Sequence, residues 1–175
     1  MNESKVDLSD ADAAIQWTSQ CLNLLGYDDS TYDKVTGSAA IVSFVSGSGP
    51  KTLAVVGSRK FSLYGKQACE YIIEGLQGYP ITIISGLALG IDSIAHHKAI
   101  ECGLYCIAVP GSGLAPHTLY PPKNHRLAEK ILENGGCLIS EFESEMPALP
   151  WMFPQRNRIM AGLCDAVLII EEEEG

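Results

Sequence analysis

The chain has 175 residues, 46% of them hydrophobic, and a formal charge of −9. That is enough apolar material for one sizeable core, which argues against a disordered chain or a coiled coil, while the acidic total argues against a uniformly basic nucleic-acid-binding surface. No run of about 18 uncharged apolar residues exists, and the first 20 residues, with Asp7, Asp10 and Asp12, lack the basic start and apolar stretch of a secretion signal, so a cytoplasmic protein without a membrane partner is expected.

The charge is unevenly placed. Residues 1–50 carry seven acids against Lys5 and Lys34, and Glu171 to Glu174 add four more, whereas 51–170 is neutral with ten acids and ten bases. Six cysteines, Cys21, Cys69, Cys102, Cys106, Cys137 and Cys164, fall mostly inside apolar segments and form no C-x-x-C pair. They read as reduced, buried small hydrophobes.

Along the chain, residues 10–25 repeat on a helical period through Ala14, Trp17 and Cys21, with Ser9 as N-cap and Gly26 as stop. From Tyr27 to Pro50 the composition turns to Asp, Ser, Thr and Gly, leaving Ala40–Val45 as a strand and Gly47–Pro50 as a linker. The expected organisation is therefore an acidic extension over 1–50 and a core over 51–175. In the core, short β-branched runs at Leu53–Val56, Ile81–Ile84, Tyr105–Val109, Cys137–Ile139 and Ala166–Ile170 read as strands buried on both faces. Helical stretches at roughly 63–77, 91–102, 124–134 and 156–163 lie between them. Such alternation predicts an α/β fold, a Rossmann-like, doubly wound, mostly parallel sheet with helices on both faces.

In an open parallel sheet ligands bind beyond the carboxyl ends of the strands. The residues found there are Gly57-Ser58-Arg59-Lys60, then Ser85-Gly86 through Gly90 and Asp92, then Gly111-Ser112-Gly113, and Ser140-Glu141 followed by a long loop to Phe153-Pro154-Gln155-Arg156-Asn157-Arg158. Glycines let a ligand approach the backbone, amides at a helix start favour phosphate, and Arg59, Lys60, Lys123 and Arg156 add cationic groups. The outline is an anion site. Each glycine can equally serve a tight turn alone, and Asp92 either hydrogen-bonds a ligand or caps the helix that follows.

Neither G-x-G-x-x-G nor G-x-x-x-x-G-K-[ST] occurs, so dinucleotide redox chemistry and NTP hydrolysis lose support and no cofactor is expected. His96 and His97 point to different helix faces and His117 and His125 sit in loop-like sequence, so a metal site would need an unusual convergence. Ser85, Ser112 and Ser140 lack a nucleophile elbow. Tyr120, Trp151 and Phe153, beside prolines, either stack on bases or pin loops to the core, and packing is the commoner role.

Taken together these segments resemble the DNA-processing protein A family, also called DprA or Smf. The resemblance covers about 51–172 and rests on Val56-Gly57-Ser58-Arg59, Ser85–Asp92 with Ala95-His96, Tyr120-Pro121-Pro122-Lys123-Asn124, Ser140-Glu141 and Phe153–Leu163. It implies an extended Rossmann-like core whose pocket binds single-stranded DNA without catalysis, and a recombination mediator that loads RecA during DNA uptake and tends to form a homodimer. Carried over by position, Arg59 would hold a phosphate and Lys123, next to Asn124, would be a second backbone contact. The Ser85–Gly90 and Gly111–Gly113 turns would supply amides, and Arg156, Asn157 and Arg158 would order or line the pocket.

The resemblance leaves 1–50 without a match to the small helical N-terminal domain of many relatives, and it implies a core lacking its usual C-terminal end, with it the parts that contact RecA and a second copy. Glu171 to Glu174 are expected to emerge at the pocket edge and oppose phosphate. Two other readings compete: a nucleotide sensor or phosphoribohydrolase of a related Rossmann-like family, whose Pro-Gly-Gly-x-Gly-Thr segment is not matched by Gly135–Glu141, and a scaffold that binds neither.

Overall fold

A computed structural model describes residues 51–171. The helix expected over 10–25, the strand at 40–45, the boundary near residue 50 and Glu172 to Glu174 lie outside the described residues.

The elements in order are β1 (Lys51–Gly57), α1 (Leu63–Glu74), β2 (Ile81–Ser85), α2 (Ile91–Glu101), β3 (Tyr105–Ala108), a 3-10 turn (Pro122–Asn124), α3 (His125–Glu133), β4 (Cys137–Leu138), α4 (Met152–Leu163) and β5 (Ala166–Ile170). The sheet order is β4-β3-β2-β1-β5, with every neighbouring pair parallel. Three successive crossovers walk one way from β1 to β4, and the fourth, through α4, jumps back across the sheet to β5. Because that return runs over the other face, α1, α2 and α3 share one apolar layer with Val55, Ile83 and Cys106, while α4 covers Ala54, Ile84 and Ile107 from the opposite side. The Rossmann-like layering read from the sequence is present.

Two features depart from expectation. First, β5 is not buried on both faces: Val167 and Ile169 are 53% and 61% exposed. They lie in register with Ala54 and Val56, so they share the α4 face, and α4 packs chiefly on β1 and β2 and not on the edge strand. Second, α4 starts at Met152, four residues before the expected position. Pro154 does not prevent this, since the amides of a first helical turn have no intrahelical acceptor and a fixed φ suits the helix there. The buried stripe of α4 is Met152, Arg156, Met160 and Leu163, and the early start is what places Arg156 on it.

Cys69, Cys102, Cys106 and Cys164 are free thiols, whereas Cys137 is disulfide-bonded, which corrects the expectation of uniformly reduced cysteines. Burial pushes the Cys69 and Cys106 thiols up to about 11 and about 12, so neither supplies a reactive thiolate near neutrality. Among the described residues no helix is long and apolar enough to cross a membrane.

Candidate nucleic-acid interface

At the carboxyl ends of β1, β2 and β3 the loops meet the start of α4 around a small cleft. Arg59, Gly86, Ala88, Leu89, Tyr120, Pro121, Phe153 and Arg156 line it. Its volume is about 40 Å³, far below the roughly 300–1,000 Å³ of sites that engulf a drug-sized ligand. A cleft of that size has room for a single small group of a larger ligand.

The floor is Arg156. Only 5% exposed, it donates through Nη1 to the carbonyls of Gly86 and Val109, which directly follow β2 and β3, and through Nε to Asn157 Oδ1 at 3.0 Å. Its charge is answered by Asp92, also 5% exposed, whose Oδ2 accepts the amides of Gly86 (3.1 Å) and Ala88 (3.3 Å). Burial raises the Asp92 carboxyl above its ordinary value and Arg156 opposes that rise; burial likewise lowers Arg156, with Asp92 opposing and Arg59 reinforcing the fall. The two guanidiniums of Arg59 and Arg156 therefore repel each other across the cleft. An anion between them relieves that repulsion.

Arg59 itself is exposed and stands over the Phe153 ring, 5.3 Å from its centroid, a cation–π contact that keeps the guanidinium at the rim. Tyr120 packs on the same ring at 5.6 Å. The turn that carries Arg59 is held by Ser58, whose Oγ bonds the Lys60 backbone and whose amide donates to the Glu171 carbonyl at 2.8 Å.

Glycine is required at two places. A Cβ on Gly86 would land on Arg156 Nη1, well inside van der Waals contact. Gly90 has φ +90°, and its Cβ would sit 2.7 Å from Arg59 Cα. Between them Leu87, fully buried, takes a left-handed φ of 59°, a conformation secured by the Asp92 bonds and by Asn124, whose Nδ2 donates to the Leu87 carbonyl at 2.7 Å.

Of the residues expected at the site, only Arg59, Gly86 and Arg156 line the cleft. Asp92 neither caps α2 through a recorded side-chain bond nor reaches the surface; it pins the turn from beneath, so the Gly86 and Ala88 amides are spent on it and not offered to a ligand. Ser85 is buried and donates to the Val55 carbonyl at 2.6 Å. Gly57 abuts the Ile170 carbonyl, Gly111 the Phe153 ring and Gly113 the backbone of Glu143 and Ser144. The Gly113 amide donates to Met146, and Ser112 Oγ accepts from the Tyr120 amide at 3.0 Å. These turns build the walls. Lys60, Lys123, Asn157 and Arg158 are exposed around the cleft's loops without lining it, and Arg158 is tied to Glu141.

Tyr120 and Phe153, which the sequence left open between base stacking and the commoner loop packing, form the aromatic wall of the cleft with Pro121. This wall packs and lines the cleft at once. The acidic tail also behaves differently from expectation where it is described: the Glu171 carboxylate turns to the start of α1, accepting the Ser62 hydroxyl and the Ser62 amide (2.7 Å), and these bonds hold it below its usual range. Among the described residues no group of three or more His, Cys, Asp or Glu side chains gathers as a metal site.

Comparison with known proteins agrees with this architecture. The family model for DNA recombination-mediator protein A matches residues 30–175. Protein Smf of Escherichia coli is 47% identical over 119 residues, which cover 68% of this chain and 31% of that protein; the DNA processing protein DprA of Streptococcus pneumoniae is 44% identical over 119 residues, 68% of this chain and 41% of that protein. Among solved structures, DprA from Streptococcus pneumoniae superposes with a TM-score of 0.60 at 41% identity, covering 68% of this chain and 41% of that one. DNA processing protein A from Helicobacter pylori, solved for its single-stranded DNA binding mode, superposes with a TM-score of 0.63 at 30% identity, covering 72% of this chain and 56% of that one. The chain thus spans about a third to two-fifths of the length of these curated relatives. With the family model spanning most of the chain and the fold shared with solved members, the chain belongs to the DNA recombination-mediator protein A family.

Proposed function

We propose that the cleft binds the sugar-phosphate backbone of single-stranded DNA, and that the protein acts in the cytoplasm as a recombination mediator. The observation that carries this reading is the facing of Arg59 and Arg156 across a cleft walled by Tyr120 and Phe153. Two cations favour a phosphate, and an aromatic wall beside them suits an unstacked base. A flexible single strand can insert one such group into a small cleft, while a duplex keeps its bases stacked.

Binding without turnover fits the same geometry. None of the eight lining residues is a carboxylate, imidazole or thiol, and Asp92, beneath the turn, is committed to two amides. A nucleotide hydrolase would release base from nucleoside monophosphates, and turnover in that assay would replace the binding reading with the enzymatic one. The mediator role, with RecA as partner and a homodimer as the acting form, rests on family membership; acceleration of RecA filament assembly on coated single strands tests it.

The direct test of the site is fluorescence anisotropy of a labelled oligo-dT against a matched duplex at low and moderate salt. A salt-sensitive preference for the single strand that Arg59→Ala removes supports the reading. Equal affinity for duplex, or no binding at low salt, overturns it.

A further inference from the structure

We propose that Trp151 is a second base-stacking position, taking a nucleotide that neighbours the one held at Arg59; this rests on the single-strand reading above and extends it beyond the cleft. Inside the cleft the aromatic wall is shared: Phe153 carries the Arg59 guanidinium at 5.3 Å and meets Tyr120 at 5.6 Å, so a second, neighbouring base needs a ring outside the cleft. Trp151 does not line the cleft, yet it stands two residues before Phe153, at the N-cap of α4. Two residues span at most about 7 Å of backbone, which places it within reach of an adjacent nucleotide.

The indole is held without being covered. Trp151 is 53% exposed, and Phe142 meets it edge to face, with centroids 5.8 Å apart and planes at 85°. A single T-shaped contact fixes the ring's orientation and leaves half of the residue open to solvent. A large ring so placed beside a phosphate-binding cleft offers stacking to any base, because every base has a π-face. The ligand class is therefore a run of unpaired nucleotides longer than one, with no demand on sequence.

Trp17 and Trp151 are the two tryptophans of the chain, so Trp17→Phe leaves Trp151 as the sole indole reporter. In that background the fluorescence falls when a dT 20-mer saturates the protein and is unchanged by thymidine monophosphate at equal nucleotide concentration. Trp151→Ala, read by anisotropy of a labelled dT 20-mer, loses roughly 5- to 150-fold in affinity, the range of one base–aromatic stack. Its salt slope is unchanged, because no phosphate contact is removed. Trp151→Phe retains most of the affinity. A parental affinity in Trp151→Ala overturns the inference while leaving the cleft reading intact, whether or not the indole is quenched. Loss of affinity that tracks a lowered urea midpoint in both variants overturns it as well, since that marks a structural role. No binding of any oligonucleotide by the parent chain overturns the cleft reading and this inference together.

Discussion

Arg156 and Asp92 grip the same residue from opposite ends: the guanidinium takes the carbonyl of Gly86 and the carboxylate takes its amide. Both side chains are almost fully buried, so each is the other's main compensation for leaving water. Removing one partner of a buried charge pair leaves the other uncompensated, at a cost of about 3–5 kcal/mol. Asp92→Ala is expected to lose stability in that range by urea denaturation. Asp92→Asn, which keeps one oxygen where Oδ2 takes both amides and loses only the charge, loses less. An unchanged midpoint in Asp92→Ala would show that the turn is held by Asn124 alone.

Arg59 behaves oppositely because it is exposed and its ring contact is one-sided. Arg59→Ala is expected to leave the urea midpoint within about 0.5 kcal/mol of the parent. The same substitution weakens oligo-dT binding by about 1–3 kcal/mol, as loss of a charge-assisted bond to phosphate does, and lowers the salt slope by roughly one. Anisotropy at three salt concentrations reads both quantities. Arg59→Lys recovers charge without the planar fork and falls between.

The contrast between these arginines marks how far sequence reasoning reached. Both were expected to face phosphate, Arg59 from the glycine turn after one strand and Arg156 from the long loop that follows another. The five strands were legible because short β-branched runs bounded by Gly and Pro have few other uses. The helices between them followed from right-handed parallel crossovers. What failed was the start of α4, where Phe153-Pro154 suggested loop. Beginning the helix at Met152 puts Arg156 on the stripe Met152, Arg156, Met160, Leu163, at helical intervals of four, four and three. That period was present in the residues, but a proline in the first turn and an arginine on an apolar stripe both argued against reading it. The assignment of turn amides to the ligand failed for another reason: Asp92 sits six residues after Gly86, and only the folded turn shows that its carboxylate reaches back to consume them. Tyr120 and Phe153 were weighed as either packing or binding, and one ring does both.

Gly90 joins the start of α2 to the turn that carries Arg59. Gly90→Ala places a methyl 2.7 Å from Arg59 Cα on a residue with φ +90°, so backbone strain and overpacking act together. The expected loss is at least about 2 kcal/mol, with weaker oligo-dT binding in the folded fraction because the Arg59 turn must shift. Gly103→Ala is the control for φ alone: it has φ +69° and nothing within 4 Å of its Cβ, so it should cost less and leave binding unchanged. Equal losses in the two variants would remove the steric part of the explanation.

His96 sits on the inner face of α2, fully buried against the sheet, with His97 and Arg156 as the titratable groups acting on its ring. Burial, reinforced by the neighbouring cations, pushes its pKa down to about 3, against about 6.5 in an unfolded chain. Between those values the unfolded state binds the proton and the folded state does not, so stability is fully present above about pH 6.5 and is lost as pH falls toward 3. One proton contributes a slope of at most about 1.4 kcal/mol per pH unit in that window. Urea midpoints at pH 7.0, 6.0 and 5.0 should therefore fall progressively in the parent chain. His96→Phe, which fills the site without a titratable nitrogen, should remove up to one proton's worth of that slope whatever it does to the midpoint at pH 7.0. Parallel pH profiles for the two proteins would mean that the carboxylates, and not His96, set the acid limit of this fold.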